Sequence, residues 1–350
     1  MKIPIEELRY LEREKGIAFE TVLGALENAL AAAYKHHPNS PDDARVVVDR
    51  DSGEILVYAQ ELDEEGNIVS EWEDTPSDFG RVAAVTAKQV ITQRLREAER
   101  DLTYGEYEGR VGDIVTGIVQ QRDQRNVTVD IGKVEAELPS SEQVPTEHYQ
   151  HNDRIKVYVV DVARSARGLR VVVSRTHPNL IRRLFELEVP EIAEGIVEIT
   201  NVAREPGHRT KIAVRSNDRG VDPKGACVGP RGARVRMVVN ELRGEKIDIV
   251  LHADDPAEFV AESLSPAKVQ RVVIDEAERT AHVVVPDYQL SLAIGKEGQN
   301  ARLAARLTGW RIDIASDAQA GAPREGDSVY EPGSGRGGGR TGRQSVVREA

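Results

Sequence analysis

Apolar residues in the first part of the chain recur mainly with the period of an α-helix. Ile5, Leu8 and Leu11 line one face of a first predicted helix. A second helix is predicted over residues 19–35, and a third, longer one over residues 81–102. The length of the third helix fits a connector to the next domain. Its buried face is predicted to consist of Ala84, Ala87, Ile91, Leu95 and Ala98.

Two short stretches between the second and third helices alternate between apolar and polar residues instead. Residues 45–49 and 54–58 flank Asp51-Ser52-Gly53, a turn sequence that predicts a β-hairpin. Residues 61–78 are acidic and are interpreted as a turn-rich segment. Residues 4–103 are therefore predicted to form an α+β domain.

Residues 108–175 change character and contain short runs of β-branched residues. Gly117 is expected to bend the first run, and residues 136–139 are expected to open a helical turn. The pattern predicts a small five-stranded Greek-key barrel of the OB class. The clearest strands are at 112–119, 127–132, 153–162 and 169–174.

A short glycine motif occurs twice in the second half of the chain. Gly229-Pro230-Arg231-Gly232 and Gly295-Lys296-Glu297-Gly298 both read G-x-x-G, at an offset of 66 residues. Each is followed by Ile-Asp-Ile, at residues 247–249 and 312–314, at an offset of 65. A G-x-x-G loop between two helices is the signature of the KH domain, which clamps the backbone of single-stranded nucleic acid. One such motif means little, but two in register indicate an internal repeat.

A β-hairpin is predicted ahead of each loop, and this order is typical of the type II KH arrangement. Asp222, followed by Pro223, is the predicted N-cap of the helix before the first loop, and Asp287 is its counterpart in the second copy. The predicted hairpins are 195–202 with 211–216, and 269–275 with 279–285.

The fold class is thus predicted as an α+β multidomain chain with an N-terminal α+β domain, an OB-type barrel, two tandem type II KH domains and a disordered tail. The tail is rich in Gly, Ser and Arg and poor in apolar residues. The predicted boundaries are 1–104, 108–177, 180–254, 256–317 and 318–350.

Charge is distributed unevenly along this chain, whose net charge is −12. Residues 1–104 hold 12 basic and 22 acidic residues, a net charge of −10, which leaves −2 for the remainder. The stretches 224–236 and 299–311 contain basic residues and no acidic ones. Small basic faces on an acidic chain suit a contact with a nucleic-acid backbone and argue against indiscriminate polyanion binding.

The candidate RNA-binding residues surround the two G-x-x-G loops. Arg231 and Lys296 are placed to meet phosphates, and glycine at both ends of each loop is expected to let phosphates and sugars approach. Glu297 weakens the second loop, so the first is expected to bind more strongly. The alternative interpretation is a plain helix-loop-helix with tight glycine turns. The full candidate set is Lys224, Gly229, Pro230, Arg231, Gly232, Arg234, Gly295, Lys296, Glu297, Gly298, Gln299, Asn300 and Arg302.

Several stretches from residue 174 onward closely resemble the NusA family of bacterial transcription elongation factors. The stretches are Ser174–Pro178, Leu184–Ile192, Ala203–Val214, Gly225–Gly229 and Ser291–Lys296 with Gly298–Asn300. The resemblance covers about residues 1–316. Lys224 departs from it, because the family more often has an apolar residue there.

The resemblance implies an N-terminal domain that binds RNA polymerase, followed by an S-one barrel and two fused KH domains that take single-stranded nascent RNA. It further implies modulation of pausing, intrinsic termination and antitermination, with other antitermination factors as partners. The chain is expected to be a cytoplasmic monomer without a membrane span. The acidic C-terminal repeats of some family members are not expected in this chain, nor are activities that depend on them.

Catalytic interpretations fit the sequence poorly, so no enzyme activity, cofactor or metal is expected. Leu290 and Glu297 break the phosphate-loop pattern, and His36-His37 has no partner at metal-ligand spacing. Cys227, the one cysteine, is predicted to be a small buried residue. An exoribonuclease or phosphorylase would need a large catalytic domain upstream.

Two further alternatives concern binding. A ribosome-associated or mRNA-binding KH protein stays open, although such proteins are expected to be strongly basic. The barrel is interpreted equally well as a spacer, because its central strand 127–131 has no aromatic residue and only Tyr149 and Tyr158 are near.

Overall fold

The structure is a computed structural model that describes residues 2–3, 5–37, 40–41, 43–63, 66–76, 79–122, 125–165, 168–319 and 329–332. Backbone contacts divide the chain into two compact units. The first unit consists of Met1–Gly109 and Ala163–Leu169, and the second of Arg110–Val162 and Arg170–Ala350. Within the described ranges, no helix combines the length and apolar character needed to cross a membrane.

In the first unit, three helices pack around an antiparallel three-stranded sheet. The elements are α1 (Ile5–Lys15), α2 (Phe19–Tyr34), β1 (Asp43–Val48), β2 (Ile55–Leu62), β3 (Ile68–Glu73) and α3 (Phe79–Glu108). Leu8, Leu26, Tyr34 and Phe79 are buried at the centre of the core. The predicted helices and the hairpin β1–β2 are confirmed.

Two expectations about the first unit were wrong. The acidic segment contains a regular strand, β3, which pairs with β2 and forms the edge of the sheet. One position of the predicted buried face of α3 was also wrong, because Ala84 is exposed and Ala83, one turn after the buried Phe79, is buried instead. Ala87 is buried and Ile91 packs against the core, as predicted.

A closed five-stranded barrel follows, as predicted. Its strands are β4 (Ile114–Arg122), β5 (Asn126–Asp130), β6 (Glu135–Pro139), β7 (Arg154–Ser165) and β8 (Gly168–Ser174), in the order β4-β5-β6-β8-β7. Gly117 lies where a Cβ atom would come within 2.4 Å of Val129 Cγ1, so only glycine lets β4 cross its neighbour so closely. Residues 136–139 belong to β6, and the helical turn begins later, at Ser140.

Two domains that share one core topology complete the second unit, and both are type II KH domains in which helical structure and a hairpin precede the helix pair. The first comprises α4 (Pro178–Glu188), α5 (Pro190–Ala193), β9 (Val197–Glu205), β10 (Arg209–Ser216), α6 (Pro223–Val228), α7 (Ala233–Glu241) and β11 (Lys246–Leu251). The second comprises α8 (Pro256–Ser263), β12 (Arg271–Asp275), β13 (Thr280–Val285), α9 (Leu290–Ile294), α10 (Gln299–Thr308) and β14 (Arg311–Ser316). In each, the second strand pairs antiparallel with the first and parallel with the third.

The helix before each loop begins differently in the two copies. Asp222 caps α6 as predicted, since its carboxylate accepts a 3.1 Å hydrogen bond from the backbone N–H of Lys224. Asp287 does not cap α9, because it lies inside a short 3-10 turn and α9 begins only at Leu290. The N-cap prediction at Asp287 was wrong because the 3-10 turn Asp287–Gln289 precedes α9, and the apolar spacing of the sequence gives no sign of such a turn.

The described residues of the tail contain one short element. Val329–Tyr330, here β15, pairs antiparallel with β12, so this part of the predicted disordered tail is ordered. The remainder of that expectation concerns residues 320–328 and 333–350, which lie outside the described residues.

The two KH domains share an apolar core. The helices α8 and α10 pack on the sheet face of the first domain that its own helices leave open. Lys211, fully buried on that face, donates a 2.8 Å hydrogen bond to the carbonyl oxygen of Ser265 and pairs with Asp248. Burying a side chain of leucine or phenylalanine size stabilises by about 1.5–3 kcal/mol. The shared core therefore fixes the two KH domains against each other more firmly than their short covalent connection alone would. Its core residues are Ala203, Ala213, Val250, Phe259, Leu303 and Leu307.

A buried arginine joins the barrel to the first KH domain. The side chain of Arg175 is 0% exposed and makes a bidentate ion pair with Glu147, at 2.6 and 3.0 Å. It also donates to the backbone carbonyls of Lys156 and Glu241, at 2.8 and 2.9 Å. All three guanidinium nitrogens of Arg175 thus donate hydrogen bonds to acceptors in the barrel or at the end of α7.

Candidate nucleic-acid interface

The first G-x-x-G loop joins α6 to α7 through three residues with positive φ. Gly229 has φ 70° and ψ 175°, a region of backbone space that essentially only glycine adopts. Arg231 and Gly232 are left-handed, with φ of 52° and 73°. This sequence of angles turns the chain sharply and starts α7 directly after the loop.

The second loop repeats this backbone conformation almost angle for angle. Gly295 has φ 77° and ψ 172°, and Glu297 and Gly298 have φ of 54° and 73°. Holding a non-glycine residue such as Arg231 or Glu297 in the left-handed region costs about 1–2 kcal/mol. The same cost recurs in both copies, which is typical of strain kept at a functional site.

The first glycine of each loop faces the protein interior. A Cβ atom on Gly229 would come within 2.6 Å of Arg234 Cγ, and one on Gly295 within 2.8 Å of the Asn300 backbone nitrogen. This differs from the expectation that both glycines make room for phosphates and sugars. The first glycine instead lets the following helix pack against the loop.

The second glycine of each loop faces open space. Nothing described lies within 4 Å of a Cβ atom built on Gly298. The nearest atom to one on Gly232 is Nη1 of Arg236, the end of a flexible side chain, at 3.5 Å. This is therefore the side from which a sugar-phosphate chain can approach each loop.

Basic side chains surround the first loop without carboxylate partners. Among the described residues, Lys224, Arg231 and Arg236 make no ion pair, and Arg231 and Arg236 are exposed. Arg236 was not among the predicted site residues. The available signal was its spacing, one helical turn after Gly232 on α7.

Arg234 is held under the first loop. Its Nη1 atom donates to both carboxylate oxygens of Glu191, at 2.9 and 3.1 Å, and to the carbonyl oxygen of Ala226, at 2.7 Å. The backbone N–H of Glu191 and the Arg234 guanidinium lower the pKa of the Glu191 carboxyl, so the pair is fully charged near neutral pH. Arg234 thus ties α7 to α5 and is a positioning residue for the loop.

The predicted site residues of the second loop separate into exposed and engaged groups. Lys296 is exposed and makes no ion pair with any described residue. Asn300 is only 3% exposed and donates to the carbonyl oxygens of Leu264 and Ala293, both at 3.0 Å. Gln299 and Arg302 instead reach across to the first KH domain, where both bond to Glu205.

Among its described residues, the barrel offers no aromatic platform. Both tyrosines of its segment are mostly buried: Tyr149 is 4% exposed and its hydroxyl accepts from the Val144 backbone N–H, while Tyr158 is 8% exposed and stacks on His177 at 4.4 Å. Bases stack on exposed rings in most single-strand barrels of this class. This observation favours the spacer interpretation over base recognition by the barrel.

No other chemistry competes with the loops in the described part of the chain. It contains no group of three or more His, Cys, Asp or Glu side chains arranged to hold a metal ion. Cys227 is fully buried, as predicted, and desolvation raises the pKa of its thiol to about 12, so the nucleophilic thiolate is negligible near neutral pH.

Comparison with protein families gives the same domain order along the chain. The profile of the NusA N-terminal domain matches residues 5–63 and 59–101, and that of the S1 RNA binding domain matches residues 108–174. Profiles of the NusA-like first and second KH domains match residues 175–252 and 256–322.

Curated relatives match over nearly the whole chain. The chain is 55% identical over 346 residues to the transcription termination/antitermination protein NusA of Mycobacterium bovis, which covers 96% of this chain and 99% of that protein. The protein of that name from Bacillus subtilis is 51% identical over 354 residues, with 94% and 95% covered. That of Thermus thermophilus is 42% identical over 341 residues, with 88% of each covered. Identity of this extent across all the matched domains shows that the chain belongs to the NusA family.

Proposed function

We propose that this chain binds single-stranded RNA along its two KH domains, with the sugar-phosphate backbone lying against the two G-x-x-G loops. The observation that carries the proposal is the repeated loop backbone, in which the second glycine faces open space beside exposed Arg231 and Lys296. Because α8 and α10 pack on the sheet of the first KH domain, a single strand meets both loops in one fixed spacing.

Binding by these loops follows from three physical features. Gly232 and Gly298 lack a Cβ atom, so phosphates and sugars reach the backbone. The loops lead directly into α7 and α10, whose N-terminal N–H groups carry partial positive charge. The left-handed backbone of Arg231 holds a positive side chain at the loop apex. In this proposal the chain acts by binding RNA.

The test replaces Gly232 and Gly298 together, by Asp in one variant and by Asn in its control. Asp and Asn have nearly the same size and tolerate the left-handed backbone equally well. Only Asp adds negative charge where phosphate must lie. We expect the Asp variant to lose nearly all affinity for single-stranded RNA, measured by fluorescence anisotropy, and the Asn variant to retain most of it. Equal affinity of the folded Asp variant and the unsubstituted chain would exclude the loops as the RNA site.

We further propose that the chain acts in transcription as its relatives are named, by modulating pausing, intrinsic termination and antitermination of nascent transcripts. In this proposal the N-terminal domain, residues 1–104, docks on RNA polymerase in the cytoplasm, and the chain works as a monomer together with other antitermination factors. The net charge of −10 on those residues repels RNA and favours a basic protein surface. The edge strand β3 exposes apolar side chains at Ile68, Val69 and Trp72, which suits a protein contact.

A further inference from the structure

Two arginines occupy the same place in the two KH repeats. Arg236 on α7 and Arg302 on α10 each lie four residues after the second glycine of their loop, and their offset of 66 residues equals that of the loops. Each therefore extends from the first turn of the helix, beside the face where Gly232 or Gly298 is open. The two side chains have different surroundings.

Arg236 is free to meet a phosphate. Its Nη1 atom lies 3.5 Å from the position of a Cβ atom on Gly232, so the guanidinium lies directly over the open side of the first loop. It is exposed, and it pairs with no carboxylate among the described residues. An arginine in this position forms charge-assisted hydrogen bonds with phosphate oxygens.

Arg302 is held by a carboxylate of the other domain. Its Nε atom donates to Oε1 of Glu205, at the end of β9, over 2.6 Å, and its Nη1 atom donates to the carbonyl oxygen of Glu297 over 3.2 Å. Gln299 donates to the other Glu205 oxygen at 2.8 Å, and Arg306 approaches to 4.0 Å. These contacts tie the second loop to the first KH domain.

Glu205 is well suited to hold this position as an anion. Its side chain is 16% exposed, and the hydrogen bond from Arg302 is the main cause that lowers the pKa of its carboxyl. A phosphate that recruited Arg302 would leave this mostly buried carboxylate beside a polyanion with only Gln299 and, at 4.0 Å, Arg306 to compensate it. Losing the closest cation is costly, because a carboxylate largely removed from water is then poorly compensated. Phosphate therefore gains more from Arg236 than from Arg302.

We propose that Arg236 is a phosphate ligand of the first loop, and that Glu205 neutralises Arg302 and makes it a positioning residue for the second. The first loop then supplies most of the electrostatic attraction for single-stranded RNA, and the second supplies a fixed backbone surface. This inference rests on RNA binding by the loops and adds which charges take part in it. It also makes Glu205 a built-in limit on the affinity of the second loop.

The salt dependence of RNA binding measures these charges directly. For single strands, the slope of log K against log salt concentration is about −0.7 for each phosphate neutralised. We expect Arg236→Ala to make the slope shallower by about 0.7 and to weaken RNA binding several-fold at low salt. We expect Arg302→Ala to leave the slope unchanged. Both substitutions remove one arginine from equivalent helix positions, so each is the matched control of the other.

Removing the carboxylate charge should release Arg302. In Glu205→Gln the amide oxygen still accepts from Arg302, so the domain contact is kept while the neutralising charge is lost. We expect this variant to bind uridine-rich single-stranded RNA several-fold more tightly at low salt, with a slope steeper by about 0.7. Arg302→Ala placed in the Glu205→Gln background should return the slope to that of the unsubstituted chain.

The outcomes separate this inference from the underlying function. A slope reduced as strongly by Arg302→Ala as by Arg236→Ala would overturn the assignment, and so would an unchanged slope in Glu205→Gln. If the variant with Asp at both Gly232 and Gly298 keeps full affinity for single-stranded RNA, the proposal that the loops bind RNA is itself contradicted, whatever the slopes of the arginine variants. If Glu205→Gln lowers the thermal unfolding midpoint, its RNA affinity is no longer informative. The salt-dependence slopes of Arg236→Ala and Arg302→Ala, each in the otherwise natural chain, then test the inference alone.

Discussion

Gly229 and Gly295, the first glycines of the two G-x-x-G motifs, have a different role from Gly232 and Gly298, the second glycines. The first glycine of each loop has φ near 70° with ψ near 175°, and its missing Cβ makes room for Arg234 or Asn300 of the following helix. The second is left-handed and faces open space. The first is thus required for packing, and the second for access by ligand.

This difference predicts unequal costs for the same substitution in the second KH domain. Gly295→Ala should destabilise the domain by about 3 kcal/mol, since it combines a glycine-only backbone with a contact under 3 Å to Asn300. Gly298→Ala should cost about 1 kcal/mol, the strain of a left-handed alanine. Urea unfolding followed by Trp310 fluorescence, in a chain that carries Trp72→Phe, reports the second domain. Equal losses would show that the first glycine has no packing role.

At the scale of elements, β3 stands out because it exposes apolar side chains on the edge of a sheet. Ile68, Val69 and Trp72 are 56, 65 and 45% exposed, and the edge backbone is unpaired on its outer side among the described residues. Natural proteins usually protect such an edge with charge or cover it with another chain. Glu73 supplies acidic charge on the same strand, while Glu71 is paired with Arg45. This combination favours a partner surface that is both basic and apolar.

If β3 docks on RNA polymerase, Trp72→Ser should weaken binding of the full chain to core polymerase roughly tenfold, as is typical of an aromatic hot spot. Tyr10→Ser is the matched control, because Tyr10 is a comparably exposed aromatic residue of the same unit, 55% against 45% for Trp72, and lies on α1 instead. Surface plasmon resonance measures both, and the affinity of the unsubstituted chain should fall as salt rises. A fragment 105–350 that bound polymerase as well as the full chain would place the docking surface elsewhere.

At the scale of the whole molecule, buried charge holds the barrel and the KH domains together. Arg175 and Glu147 lie at the joint between the barrel and the first KH domain, and a second buried pair lies within the first KH domain, where the side chains of Arg204 and Glu245 are both 1% exposed and form two hydrogen bonds of 2.9 Å. Glu245 also accepts from Thr210 and from the Gly207 backbone. Fully satisfied polar networks of this kind favour one arrangement of the domains, because any other leaves a charge unpaired away from water.

Arg175→Met should therefore lower the stability of the second unit by about 3–5 kcal/mol, because it leaves the carboxylate of Glu147 buried without its cationic partner. Arg170→Met is the control, since Arg170 forms a 3.0 Å ion pair with Glu137 on the exposed surface of the barrel, and its loss should cost about 0–1 kcal/mol. Differential scanning calorimetry of the full chain distinguishes the two. Similar thermal midpoints for both variants would show that the buried pair does not stabilise the joint.

The sequence by itself determined the element types, the barrel, the KH repeat and the position of both loops. These features depend on local periodicity and on glycine spacing, which are properties of neighbouring residues. Prediction from the sequence was wrong where a short strand or a 3-10 turn has no strong residue pattern. The two cases are the strand β3 and the expected N-cap at Asp287. The acidic residues of the surrounding segment 61–78 hid the strand pattern of β3, Ile68–Glu73.

Only the tertiary structure decided which basic residues beside the loops are available to a ligand. Within the stretches 224–236 and 299–311, Arg234 and Arg302 are bound by Glu191 and Glu205, whereas Arg236 is not. Those carboxylates lie 43 and 97 residues away along the chain. An ion pair of such sequence separation forms only when packed elements bring the two side chains together, so no local pattern reveals it.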